Sequence, residues 1–117
     1  MRHSNVGRKF GRERGQRRSF LKGLLRNLIM NGKILTTEAR AKEIKILIEP
    51  LVTKAKKQTP AVLRLLISRL SSKEAAYKLY HEIGPRYAER RGGYVRVIKI
   101  VKRRLKDASP TAYIEFV

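Results

Sequence analysis

Apolar side chains mark out most of the elements of this chain. Leu21, Leu24, Leu25, Leu28 and Ile29 fall at i, i+3, i+4, i+7 and i+8, one stripe of an amphipathic helix. Asn31-Gly32 is a stop signal for it. Ile44, Leu47, Ile48, Leu51, Val52 and Ala55 form a second stripe, entered through Thr37 as a cap with Glu38 in the first turn. Pro50 interrupts that stripe. An interior proline costs roughly 3 kcal/mol, so a kink or break is expected within about one turn before it. Thr59-Pro60 restarts a helix as cap and first residue, and Val62, Leu65, Leu66 and Leu70 give it a face. Ser71 with Glu74 reads as a capping box for a helix carrying Ala75, Ala76, Leu79, Tyr80 and Ile83. Gly84-Pro85 should end that helix.

The period then changes. Tyr94 to Val101 is rich in β-branched residues and reads as a strand, entered from a Gly92-Gly93 turn. Ala112, Ile114 and Phe116 alternate with Tyr113 and Glu115, the pattern of a half-buried strand. These two should form a hairpin, which the short run Ile34-Leu35-Thr36 could join. The expected fold is α+β: helices packed on one face of a small antiparallel sheet of two or three strands. Residues 1 to 15 hold three glycines and almost no apolar side chain, so they cannot offset their ordering entropy. They are expected to be an extended basic arm, leaving residues 16 to 117 as a single domain.

Charge changes the picture most. Over 117 residues, 29 Lys and Arg face 9 Asp and Glu, a formal net charge of +20. Such a chain repels itself unless a polyanion neutralises it, and phosphate backbones are the usual partner. The charge is concentrated towards the chain ends. Arg2, Arg8, Lys9, Arg12, Arg14, Arg17, Arg18, Lys22 and Arg26 precede residue 27, against the single acid Glu13. Arg86, Arg90, Arg91, Arg96, Lys99, Lys102, Arg103, Arg104 and Lys106 fall between 86 and 107, against Glu89 and Asp107. Arginine dominates both stretches, and its planar fork suits phosphate oxygens. In the second stretch Tyr87 and Tyr94 interleave with the cations around Gly92-Gly93. The glycines would let backbone approach a phosphate. Tyr94 could either stack on a base or pack in the core, and the sequence leaves both readings open.

Candidate chemistry is thin. There is no cysteine, hence no disulfide or thiolate metal site. His3 sits in the arm, and His81 on a helix has neither an evident orienting partner nor a pocket. No metal-spaced cluster and no phosphate loop stand out. No cofactor, metal or small-molecule substrate is expected. No apolar run approaches a bilayer span, and the N-terminus lacks the apolar segment of a secretory signal. Three other classes fit less well. A nucleoid-type DNA-binding protein lacks a recognisable helix-turn-helix or zinc finger. A peripheral membrane protein would use the basic amphipathic helices, but their apolar faces are better buried against each other. An RNA-processing enzyme lacks an acid–base constellation.

Together these residues resemble a known family, the bacterial-type large-subunit ribosomal protein L-seventeen. The likeness runs nearly end to end. It is carried by Met1-Arg2-His3, Gly7-Arg8, Leu25-Arg26-Asn27-Leu28, Ile34 with Thr36-Thr37, Ala41-Lys42-Glu43 and the run from Glu49 to Lys56. It continues through Gly84-Pro85-Arg86-Tyr87, Arg90 with Gly92-Gly93-Tyr94, Arg96-Val97-Ile98-Lys99, and Pro110 with Ala112-Tyr113-Ile114-Glu115. Family members usually carry His where Gln16 stands, often His-Glu in place of Asn31-Gly32, and a glycine where Leu105-Lys106 stands here.

The resemblance implies a structural, non-catalytic constituent of the large ribosomal subunit in the cytoplasm. It implies binding to 23S-type rRNA on the solvent side near the polypeptide exit, among neighbouring large-subunit proteins. RNA contacts are expected from Arg2, His3, Arg8, Lys9, Arg12, Arg14, Arg17, Arg18, Lys22 and Arg26. A second set is expected from Arg86, Arg90, Arg91, Gly92, Gly93, Tyr94, Arg96, Lys99, Lys102, Arg103 and Arg104.

Overall fold

A computed structural model describes residues 13–100 and 108–117. Helix α1 (Arg14–Asn31) leads into strand β1 (Lys33–Thr37) and helix α2 (Glu38–Ala55). Helices α3 (Pro60–Leu70) and α4 (Lys73–Lys78) follow. Then come a π-helical turn (Leu79–Ile83) and a short helical turn α5 (Gly84–Arg86). Strands β2 (Val95–Ile100) and β3 (Thr111–Phe116) complete an antiparallel sheet of order β1-β3-β2. This is the expected α+β arrangement, and the short strand near Ile34 does join the hairpin strands.

The sheet's two faces follow from the register. Ile34 stands opposite Ile114, which stands opposite Val97; Val95 pairs with Phe116. These side chains form the inner face, and Ala112, Ile114 and Val95 are buried against the helices. On the outer face the row Leu35–Tyr113–Ile98 leaves Leu35 56% and Ile98 42% exposed. The helices supply their expected stripes to the core: Leu25, Leu28 and Ile29 from α1; Ile44, Ile48, Leu51 and Val52 from α2; Leu66 and Leu70 from α3.

Several helix ends follow simple capping chemistry. Gly32 takes a left-handed φ of 79° that glycine adopts without strain, and its N–H closes α1 on the Leu28 carbonyl. The Thr37 hydroxyl accepts from the Arg40 N–H, and the Thr59 hydroxyl accepts from the Val62 N–H.

Four local expectations are corrected. First, α1 starts at Arg14, so Arg14 and Gly15 are helical and not part of an arm; residues 1 to 12 lie outside the described residues. Second, of the kink or break expected before Pro50, the break is absent: α2 runs unbroken to Ala55. Pro50 and Ile46 are both exposed, so water can solvate the Ile46 carbonyl that the proline leaves unpaired. Third, the cap of α4 is Ser72, whose hydroxyl accepts from the Ala75 N–H. Ser71 instead ends α3 in a left-handed conformation.

Fourth, Gly84-Pro85 does not end the last helix. The chain widens into the π-helical turn, the Gly84 N–H reaches the Leu79 carbonyl, and helical structure persists to Arg86. In that wider register Pro85 would have donated to Tyr80 had it carried an N–H. The Gln58 side-chain amide takes that role, donating to the Tyr80 carbonyl (2.6 Å) and to the Ala55 carbonyl at the end of α2 (2.8 Å). Gly84 packs directly on the same spot: a Cβ there would lie 2.8 Å from the Ala55 carbonyl oxygen.

Gly84→Ala should therefore force α2 and the π-helical turn apart. The expected cost is about 1–3 kcal/mol, as for other overpacked sites. Urea denaturation of the free protein measures it as a lowered midpoint; an unchanged midpoint would contradict the close packing.

Candidate nucleic-acid interface

The second basic stretch emerges as a loop fastened at several points. Tyr87 and Tyr94 are both buried, with ring centroids 5.5 Å apart. The Tyr87 hydroxyl donates to the Val117 carbonyl, and the Val117 N–H donates back to the Tyr94 carbonyl (2.9 Å). One face of α2 grips the other side. Glu49, Thr53 and Lys56, at i, i+4 and i+7, all reach Tyr94. The Glu49 carboxylate accepts from the Tyr94 N–H (3.1 Å), and the Thr53 and Tyr94 hydroxyls are hydrogen-bonded (3.2 Å). Lys56 Nζ donates to the Tyr94 hydroxyl (3.0 Å) and to the Arg90 carbonyl. The bond with Thr53, reinforced by the Lys56 cation, holds the Tyr94 phenol below its ordinary pKa.

Tyr94 is only 1% exposed, so it packs in the core and has no face for a base. Of the two readings the sequence left open for Tyr94, packing in the core holds and stacking on a base does not. Tyr87 is buried in the same way. What the loop turns outward is guanidinium. Arg86, Arg90 and Arg91 are all exposed around Gly92 and Gly93. Arg90 Nε donates to the Gly92 carbonyl (3.1 Å), which fixes the turn and leaves its terminal nitrogens without a partner among the described residues. Arg91 makes no hydrogen bond or ion pair among those residues. Gly93 adopts φ 63°, a left-handed conformation that glycine allows. A side chain on Gly92 would meet nothing, so the backbone there is open.

Beyond the loop the cations are partly committed. Arg96 Nε pairs with Glu115 (2.9 Å), which Lys33 also approaches (3.8 Å). Lys99 reaches Glu38 (3.4 Å), whose carboxyl is held below its usual pKa chiefly by the hydrogen bond from Lys42 (2.8 Å). Lys102, Arg103 and Arg104 lie outside the described residues.

The first basic stretch is divided in role. Lys22 Nζ donates to Ser71 Oγ (2.8 Å) and the Ser68 carbonyl (3.4 Å), and an Arg26 terminal nitrogen donates to the Leu70 carbonyl (3.0 Å). Both cations thus fasten α1 to the C-terminal end of α3, where carbonyls are unsatisfied and the helix dipole is negative. Arg14 and Arg18 are exposed and Arg17 is half-buried. Arg18 and Lys22 share a groove of about 390 Å³ with Arg69, over a floor that includes Leu25 and Leu51. Arg2, His3, Arg8, Lys9 and Arg12 lie outside the described residues.

Sequence reasoning missed Lys56 and Arg69. Lys56 sits in a mixed-charge helix and looks like surface solvation. Its spacing from Glu49 and Thr53 was the available signal, but only the fold reveals what that face meets. His81, set aside as a catalytic candidate, is exposed and lies edge-on against Tyr80 at 4.9 Å.

The family model described as "Ribosomal protein L17" matches residues 20–117. The chain is 48% identical over 117 residues to the large ribosomal subunit protein bL17 of Thermodesulfovibrio yellowstonii, covering all of this chain and 87% of that one. It is 43% identical over 117 residues to the bL17 protein of a Sulfurihydrogenibium species, covering all of this chain and 97% of the relative. It is 41% identical over 116 residues to that of Nitratidesulfovibrio vulgaris, at 99% and 87% coverage.

The buried phenol yields a stability test. Tyr94→Phe keeps the ring and removes the hydroxyl bonds, an expected cost of about 1 kcal/mol. Tyr94→Ala empties the site and should cost about 3–5 kcal/mol. Denaturant titration of both variants reads the difference, and a near-neutral Tyr94→Ala would mean the ring is not a core element.

Proposed function

The chain belongs to the ribosomal protein L17 family, so it is a structural component and not an enzyme, and we propose that it holds large-subunit rRNA by arginine–phosphate contacts. Its relatives are named as large ribosomal subunit proteins, and the chain is accordingly a constituent of the large subunit of the ribosome, which lies in the cytoplasm. The observation that carries the RNA reading is the loop of Arg86, Arg90 and Arg91. Three exposed guanidiniums stand on a backbone already fixed by two buried tyrosines and by Lys56. Little ordering entropy then remains to be given up when phosphates bind. Arg14, Arg17 and Arg18 at the start of α1 form a second set, continuous in sequence with the basic residues 2 to 12.

The same proposal assigns residues 2 to 12 to an RNA-binding arm of a one-domain protein, and Arg96, Lys99, Lys102, Arg103 and Arg104 to the rim of the interface. Lys22 and Arg26 take a lesser part in it, because their donors are already used within the fold. A place on the solvent side near the polypeptide exit rests on the family resemblance alone.

Replacing Arg86, Arg90 and Arg91 together by Gln should leave the fold intact, because the buried tyrosines and the Lys56 bond to the residue-90 carbonyl are untouched and only the Arg90 Nε bond to the Gly92 carbonyl is lost. Affinity for folded 23S-type rRNA should fall. The slope of log affinity against log salt should become shallower by about 0.9 for each phosphate no longer neutralised on a duplex, or about 0.7 on a single strand. Filter binding from low to high salt measures both. A wild-type protein with no salt dependence would defeat the phosphate mechanism, and a triple variant that binds like wild type would remove the loop from it.

A further inference from the structure

The exposed side of α4 and the π-helical turn differs in character from the rest of this cationic molecule. Glu74, Tyr77, Lys78, His81 and Glu82 fall at i, i+3, i+4, i+7 and i+8, one helical face. With Met30 at the end of α1 they line a shallow depression of about 360 Å³. Its apolar and aromatic part is open to solvent: Tyr77 is 45% and Met30 36% exposed. Tyr77 and Tyr80 both approach the His81 ring edge-on, with centroids 6.1 and 4.9 Å away.

The carboxylates are the decisive feature. Lys78 is spaced i+4 from Glu74 and i−4 from Glu82, and could pair with either. Its Nζ turns away instead and donates to the Met30 carbonyl (2.9 Å), capping α1. Neither Glu74 nor Glu82 has a hydrogen bond or ion pair among the described residues. Among the other acids, Glu38 and Glu115 each meet two cations and Glu49 meets the Tyr94 N–H, while Glu13 and Glu89 stand singly beside arginines of the two basic stretches. Two carboxylates against the one Lys78 ammonium, beside an exposed tyrosine, disfavour phosphate. They fit a guanidinium or ammonium that lies over the ring with a carboxylate to receive its N–H groups.

We propose that the face formed by Met30, Glu74, Tyr77, His81 and Glu82 docks a Lys/Arg-rich segment of another protein of the large subunit. An arginine or lysine stacks on Tyr77 and pairs with Glu74 or Glu82, while Met30 and the aromatic edges cover the apolar part of that segment. This surface is separate from the arginine loop and goes beyond the RNA-binding reading. It could fail while rRNA binding stands, and the reverse.

The test uses large subunits assembled with Tyr77→p-benzoylphenylalanine and, separately, Met30→p-benzoylphenylalanine, irradiated and mapped by mass spectrometry. Both photoreactive positions should cross-link to a protein segment with Lys or Arg within a few residues of the attachment point. Adding Glu74→Gln and Glu82→Gln should lower the yield about tenfold, the scale of removing one strong interfacial interaction. Attachment to rRNA, attachment to a protein segment without Lys or Arg, or no attachment from either position in fully occupied particles would overturn the proposal. A yield unchanged by the two Gln substitutions would overturn it too.

Discussion

The grip of α2 on Tyr94 is the interaction on which the rest of the structure turns. A tyrosine at the mouth of a strand could swing its ring outward, and the loop before it would then be loose. Here the ring is buried, worth on the order of 1.5–3 kcal/mol for a side chain of that size. Its backbone N–H is held by Glu49, its hydroxyl by Thr53 and Lys56, and the loop carbonyl at Arg90 by Lys56, all along one side of α2 and its C-cap. Hydrogen bonds of this kind contribute roughly 1 kcal/mol each. Their larger effect is geometric. They set the angle at which the chain leaves α5, turns at Gly92-Gly93 and enters β2, and so fix where three arginines point. The C-terminal residue closes the arrangement, since Val117 bonds both tyrosines.

The same economy governs the charges. A chain at +20 gains from every cation set against a negative group of its own. Few carboxylates are available, so much of that role passes to the carbonyl ends of helices. Lys22 and Arg26 serve the end of α3, and Lys78 serves the end of α1. Lys56 serves the carbonyl of Arg90 in the arginine loop. These cations bind helix to helix or helix to loop, whereas Arg86 and Arg91 have no such acceptor among the described residues; both are exposed, with the Arg86 guanidinium 5.9 Å from the centroid of the Tyr87 ring. Basic residues that look alike in the sequence thus divide into those that hold the fold and those available to a polyanion.

That division was only partly legible from the sequence. The α1 and α2 stripes, the Gly32 stop, the Thr37 and Thr59 caps and the alternation of β3 each follow from nearest-neighbour chemistry, and the structure repeats them. The departures arise where tertiary packing outweighs a local rule. Pro50 lies on the exposed side of α2 with Ile46, where water can reach the carbonyl it leaves unpaired. Gly84-Pro85 stays helical because Gln58, distant in sequence, supplies the missing donor to Tyr80. Ser71 was expected as the cap because Glu74 three residues on completes a capping box. Lys22 bonds the Ser71 hydroxyl from another helix, and Ser72 takes the cap. Tyr94 was ambiguous for a related reason: basic neighbours mark a surface, and nothing local revealed that Glu49, Thr53 and Lys56 would meet it. In the candidate site, the arginines were found by residue type and density, while the lysine that positions them was hidden by its mixed-charge helix.

Separation of unlike surfaces follows from these choices. Had Lys78 paired with Glu74 or Glu82, that face would be close to neutral and the end of α1 would be without its Lys78 cap. Because Lys78 is committed to the Met30 carbonyl, the helix end is satisfied and the carboxylates are left exposed. A phosphate approaching there meets two carboxylates and the single Lys78 ammonium in place of a fork of donors, and the net repulsion at short range opposes the overall attraction of the +20 chain. The molecule therefore presents fixed guanidiniums at the turn before β2 and uncompensated carboxylates beside an aromatic surface on α4 and the π-helical turn. The two proposed partners call for unlike surfaces, since phosphate can neutralise the first but not the second.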